Sequence, residues 1–118
     1  MVKKPYASMN VDGEEYKLKI SSSAAMDAEK KLGKGLLEAA GDLRSVTTQI
    51  VLLWASLQAY HHGISMNAAA ELYDAYMDTE DGCLENLINI LVEVMEVSGF
   101  TKAAKPAKKL GETATQKK

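Results

Sequence analysis

The sequence predicts an α+β domain that is mostly α, with an N-terminal β-hairpin, about four helices and a disordered basic C-terminal tail. Three observations carry that expectation. Asp12-Gly13 separates two short stretches that alternate apolar and polar residues. The following segments repeat apolar residues at steps of three and four between recognisable caps and breakers. The last eighteen positions hold one large apolar residue, Leu110, among six lysines.

Asp12-Gly13 suits the two left-handed positions of a tight hairpin turn. A two-residue loop there sets Val11 opposite Glu14, Met9 opposite Tyr16, Ala7 opposite Leu18 and Pro5 opposite Ile20, with the apolar members on one face. A two-stranded ribbon is marginal alone, so Tyr16, Leu18 and Ile20 require a helix beneath them or a neighbouring subunit.

Ser21, Ser22 and Ser23 offer side-chain oxygens to a first helix over residues 24–32, which Gly33 ends. Leu36, Leu37, Ala39 and Ala40 form one further helical turn before Gly41. The second helix is capped by Ser45, carries Val46, Ile50, Leu53, Trp54, Leu57 and Tyr60 on its apolar stripe, and is followed by Gly63. It is the expected core helix. The third covers residues 67–77 behind Ser65, with Ala69, Leu72, Tyr73 and Tyr76 inside. The fourth covers residues 83–97, with Leu84, Leu87, Ile88, Leu91, Val92 and Met95 apolar and Glu85, Asn89, Glu93 and Glu96 toward water. Gly99 then suits a left-handed cap, with Phe100 folding back on the last turn. The organisation is one hairpin-plus-helix domain, residues 1–100, and a tail, residues 101–118, whose composition cannot offset its ordering entropy.

Length and charge bound what such a domain does. A chain of 118 residues buries enough surface for an unaided core. The lone cysteine, Cys83, forms no internal disulfide and fits a reducing compartment, and the polar N-terminus does not read as a signal peptide. The longest apolar run, residues 50–55, is far short of the roughly 20 residues a bilayer requires, so no membrane is expected. Residues 101–118 carry a net charge of +5 and residues 1–100 a net −7. An acidic body repels a phosphate backbone, which argues against nucleic acid as a partner.

No chemistry-bearing constellation emerges. His61 and His62 are adjacent, so on a helix they point about 100° apart and do not converge on a metal; they read as a solvated helix end. Cys83 starts a helix but has no identifiable base, and reads as a buried or incidental cysteine. Aligning Gly82 with the glycine of a calcium loop puts Met77 and Thr79 where oxygen-rich acidic ligands belong, so the acidic residues 78–81 read as a turn. Gly33-Lys34-Gly35 lacks phosphate-loop spacing. The expectation is a non-enzyme without cofactor or metal.

Binding signals are clearer. Methionine and tyrosine supply adaptable apolar contacts of the type promiscuous surfaces use. Most of Trp54, Met26, Met95 and Tyr16 are assigned to the core, whereas the third helix, with Tyr73 on its inner stripe and Met66, Tyr76 and Met77 spread around it, is the candidate sticky face. Lys102, Lys105, Lys108 and Lys109 give a second, electrostatic candidate: a tail that either stays solvated or orders on an acidic partner.

Several segments together resemble one family. The hairpin, residues 18–37 (LKISSSAAMDAEKKLGKGLL), residues 52–57 (LLWASL), residues 64–76 (ISMNAAAELYDAY) and the closing VSGF of residues 97–100 are similar to tail assembly chaperones of long-tailed bacteriophages, of the siphophage or prophage type. The likeness spans about residues 6–100. It implies a cytoplasmic protein of an infected bacterium, absent from the mature virion, that coats and solubilises the tape-measure protein, delivers it to the tail-tube protein, and self-associates as a possible homo-oligomer. It also implies a frameshifted longer product in many relatives. A virion structural or connector protein, and a small helical transcription regulator, are the alternative readings.

Overall fold

The computed structural model describes residues 5–102, and its elements run β1 (Ala7–Val11), β2 (Glu14–Leu18), α1 (Ser22–Leu32), α2 (Leu36–Ala40), α3 (Val46–Leu57), α4 (Met66–Met77) and α5 (Leu84–Val97). This is the expected hairpin followed by four principal helices, with the short α2 between the first two. The tail beyond Lys102, including Lys105, Lys108 and Lys109, lies outside the described residues.

Asp12 and Gly13 adopt φ of 52° and 86°, as the tight turn requires, and the antiparallel register is Val11 to Glu14, Met9 to Tyr16 and Ala7 to Leu18. The expected pairing of Pro5 with Ile20 does not form, because the ladder ends at Ala7 and Leu18. Two hydrogen bonds draw the chain away there. Lys19 N–H donates to the Ser56 carbonyl at 2.9 Å, and Ile20 N–H to Ser98 Oγ at 2.8 Å. The exit of the hairpin is thereby tied to α3 and to the end of α5, while Ala7, Met9, Val11, Leu18 and Ile20 enter the core.

Serine caps position three of the helices: Ser21, Ser45 and Ser65 accept from the N–H groups of Ala24, Thr48 and Ala68. In α1 the small residues Ala24, Ala25 and Ala28 are buried, letting the helix lie against α3. Met26 points the other way and is 59% exposed, the one of the four candidate core residues Trp54, Met26, Met95 and Tyr16 that lies outside the core. Gly33 ends α1 in the left-handed region, and the Glu29 carboxylate receives Leu36 N–H at 2.8 Å, capping the start of α2 from the preceding helix.

The center of the molecule is α3, which packs against α1, α4, α5 and β2. A helix covered on so many sides has no single inner stripe. Thr48, Gln49, Val51, Leu52, Ala55 and Ser56 are buried along with the expected Leu53 and Leu57. Val46 is exposed, and Tyr60 is exposed and lies beyond the helix, which corrects both ends of the expected stripe. The buried polar groups are hydrogen-bonded, as burial demands. Ser56 Oγ donates to the Leu52 carbonyl at 2.6 Å, and Gln49 Nε2 to the Leu43 carbonyl at 2.6 Å. Trp54 is half-buried, its indole N–H donating to the Ile64 carbonyl at 2.9 Å and its ring 5.1 Å from Lys31 Nζ.

At its far end α5 closes as expected. Gly99 has φ of 87°, its N–H reaches the Glu96 carbonyl, and Phe100 N–H reaches the Met95 carbonyl at 2.9 Å. These are the paired bonds of a Schellman end, with Phe100 packed on the core. No helix among the described residues is long and apolar enough to cross a membrane.

Candidate interaction surface

The third-helix residues expected to form a sticky face, here on α4, are mostly interior. Tyr73 and Tyr76 are buried, and Met66 and Met77 are half-buried against the core. Tyr73 Oη donates to Gln49 Oε1 at 2.8 Å, so Gln49 bridges α4 to the loop carbonyl of Leu43. Tyr76 Oη lies 3.5 Å from the Asp81 carbonyl, a weak contact at the α4–α5 turn. Burial raises the pKa of both phenols, with the Asp74 charge adding to it at Tyr73, and the Cys83 and Asp81 charges adding to it at Tyr76. Tyr73 and Tyr76 thus lie inside, as the expected inner stripe of this helix has them, and a tyrosine whose hydroxyl is committed inside the fold offers no face to a partner. Lys102 is exposed at the end of the described chain.

The open apolar surface lies on α5 instead. Leu87, Leu91, Val94 and Met95 point into the core, a set spaced at four, three and one residues. Leu84 and Val92, expected inside, are 45% and 40% exposed, and Ile88 between them is half-buried. Steps of four align Leu84, Ile88 and Val92 in a second stripe, displaced around the helix from the buried one. The correction has a simple cause: apolar residues occupy too wide an arc of α5 for α3 and β1 to cover.

Residues 40–44, at the end of α2 and in the following loop, form the opposite wall. Three adjoining clefts run along this seam, of about 260, 320 and 290 Å³. The first is lined by Leu84, Ile88, Arg44 and Glu85; the second by Ile88, Val92, Leu43 and Ala40; the third by Val92, Met95, Leu43 and Lys102. Shared walls make them one trough with aliphatic flanks and charged rims. Each segment is open and small, shaped for a row of side chains rather than for an enclosed ligand.

The loop wall is held from behind. Gln49 and Tyr73 fix the Leu43 carbonyl, and Lys34 Nζ meets Asp42 Oδ2 at 2.9 Å. The lysine holds the Asp42 carboxyl below its ordinary pKa by hydrogen bond and charge, with Thr48 Oγ1 donating to the same oxygen. The trough is therefore an edge of the buried framework, not a loose surface.

Elsewhere the polar side chains are scattered. His61 packs on the Tyr16 ring at 5.5 Å in the turn after α3, and His62 is exposed. Cys83 is exposed, its sulfur accepting from Asn86 N–H at 3.4 Å as the cap of α5. Gly82 is needed for close approach: a Cβ there would fall on the Tyr76 carbonyl and lie 2.7 Å from Met77 Cα. Among the described residues no group of three or more histidine, cysteine, aspartate or glutamate side chains could hold a metal ion.

No family model, curated protein or solved structure matches this chain.

Proposed function

We propose that this protein is a binding module that covers amphipathic helical segments of an aggregation-prone partner, seating each segment's apolar stripe in the trough between α5 and residues 40–44. The observation that carries the reading is the row of exposed Leu84 and Val92 with half-buried Ile88 between them, along the wall opposite Leu43 and Ala40. A groove with aliphatic walls and charged rims suits a helix anchored at steps of three and four residues.

The likeness to tail assembly chaperones supports a particular partner, the tape-measure protein of a long-tailed phage, with delivery to tail-tube subunits as the outcome. Magnitudes favour coating by many copies. Completing the burial of three aliphatic side chains that are already partly covered contributes a few kcal/mol, at about 25 cal/mol per Å². Association costs of at least about 4 kcal/mol offset most of that, so a single seat is weak and a row of them holds. The acidic body would keep such a coat soluble by mutual repulsion.

Co-expression with the tape-measure protein encoded beside this chain tests the reading. The partner should become soluble and co-purify with the wild-type chain. It should not with Ile88→Asp/Val92→Asp, provided that variant melts near the wild-type temperature. A tape-measure protein that stays insoluble with excess wild-type chain, together with this chain in washed virions, would favour the structural-protein reading instead.

A further inference from the structure

The fourteen residues of α5 include three glutamates, Glu85, Glu93 and Glu96, and no lysine or arginine. A surface helix ordinarily mixes its charges and pairs them four residues apart, which α5 cannot do. Among the described residues the ion pair is that of Lys34 with Asp42, and neither Glu85 nor Glu93 is in one. Glu85 stands in the first turn, where the helix dipole favours an acid, but Glu93 stands in the C-terminal half, where it does not.

Helix geometry places these charges along one rim of the trough. At about 100° per residue, Leu84, Ile88 and Val92 span about 80° of the helix, and Glu85 and Glu93 continue round it on the side away from buried Leu87, Leu91 and Val94. Glu85 lines the first cleft. The opposite rim has the other sign. Arg44 is exposed there, lines the first and second clefts, and is in no ion pair among the described residues, while the Asp42 charge is answered by Lys34 at 2.9 Å. Glu96 and Lys102 both line the third cleft, so the asymmetry belongs to the first two.

We infer, resting on the trough as a helix seat, that its occupant is a helix with segregated charge: lysine or arginine along the flank of its apolar stripe that meets α5, and aspartate or glutamate along the flank that meets Arg44. Turning a helix end for end while its stripe stays in the trough exchanges the two flanks. One direction sets bases against Glu85 and Glu93 and an acid against Arg44, and the reverse opposes like charges. The seat therefore selects the direction of the helix as well as its apolar spacing. A second copy of this chain does not offer such a segment through α5, which has no base on either flank. Charges this exposed are screened and each pair is weak, so the set changes affinity by roughly three- to tenfold while the apolar stripe supplies the rest.

Two synthetic amphipathic helices of identical composition, and hence identical net charge, test this by amide-shift titration of the full ¹⁵N chain at low salt. Both carry leucines at steps of three and four. In the first, lysines occupy one flank and glutamates the other; in the second, each flank holds equal numbers of both. The first should bind roughly three- to tenfold tighter, and the difference should vanish in 1 M salt, where the Debye length falls to about 3 Å. It should also vanish in Glu85→Gln/Glu93→Gln and persist in Glu71→Gln/Glu80→Gln, which removes the same charge from exposed positions on and after α4. A nitroxide on the N-terminus of the first helix should broaden the Leu84 and Met95 amides unequally, and exchanging the helix's two flanks should reverse which is broadened more. Equal affinities for the two helices, with shifts still centred on the seam, would overturn the inference and leave the helix seat standing. So would broadening that ignores the exchange of flanks. Shifts absent from the seam with either helix would overturn the seat and the inference together.

Discussion

Helices α4 and α5 both carry more apolar surface than one buried stripe needs, and they dispose of it in opposite ways. On α4 the large residues Tyr73 and Tyr76 turn inward, and Tyr73 finds Gln49 to satisfy its hydroxyl. On α5 the excess is aliphatic, requires no polar partner, and is left along an open seam as Leu84, Ile88 and Val92. The lesson is that residue type alone does not mark a surface for binding. A tyrosine is adaptable only until its hydroxyl is committed, whereas a half-covered aliphatic row stays available to any shape that fits.

The contrast predicts that substitutions on the two sides of the framework differ in kind. The largest effect belongs to the shared center. Leu53 is fully buried on α3, and Leu53→Asp should abolish cooperative thermal unfolding, because an unpaired buried carboxylate costs several kcal/mol against a usual total of about 5 to 15. A normal melting curve would mean that α3 is not the core helix. On the α4 side, Tyr73→Phe and Gln49→Leu should each cost about 1 to 3 kcal/mol, because each leaves a buried polar partner unsatisfied. The double variant should cost less than the sum, and strict additivity in denaturant titrations would show that the pair is not coupled.

Smaller effects are expected from the trough and from titration. Val92→Ser should change stability by no more than about 0.5 kcal/mol, since Val92 is already 40% exposed. A multi-kcal loss would place it in the core after all. Burial raises the phenol of Tyr73 above 10.0 in the folded state, so its neutral form is favoured there. Its contribution is present below pH 10 and is lost as pH rises through the higher folded value. Tyr73→Phe should flatten that alkaline decline. Asp42 has the reverse sign: Lys34 lowers its pKa from 3.8, so its contribution is present above that value and fades as pH falls. Asp42 is solvent-facing and its ion pair screened, so Asp42→Asn should alter the acid limb of the stability profile least of all these changes.

How much of this was legible in the sequence follows from the same contrast. Hairpin register was readable, because a period of two and an Asp-Gly turn leave one pairing that keeps Ala7, Met9, Val11 and Leu18 on one face. Caps at Ser21, Ser45, Ser65, Gly33 and Gly99 were readable too, being local backbone chemistry. The faces of α3 and α5 were readable only in part: Leu53 and Leu57 on α3, and Leu87, Leu91 and Met95 on α5, are buried as expected. A stripe drawn through Val46, Ile50, Leu53, Trp54, Leu57 and Tyr60 assumes one covered side, and only the assembled fold reveals that α3 is covered on most sides. The inner and outer rows of α5 differ by one residue in phase, and whether Val92 or Val94 faces inward depends on where β1 and α3 lie. A count of apolar positions on α5 would have signalled an excess, though not its location. The inner stripe of α4 placed Tyr73 and Tyr76 inside, but composition does not disclose that Gln49 meets the Tyr73 hydroxyl there.

The central claim is that the seam between α5 and residues 40–44 is the surface that receives a helix. Backbone amide shifts of the full chain, titrated with a synthetic amphipathic helix, test it most directly. The account predicts shifts concentrated at Leu43, Leu84, Ile88 and Val92, with Ser8, Asn10 and Lys17 of the hairpin unmoved. Shifts centred on the hairpin or on the outer side of α4, with the α5 seam silent, would contradict it.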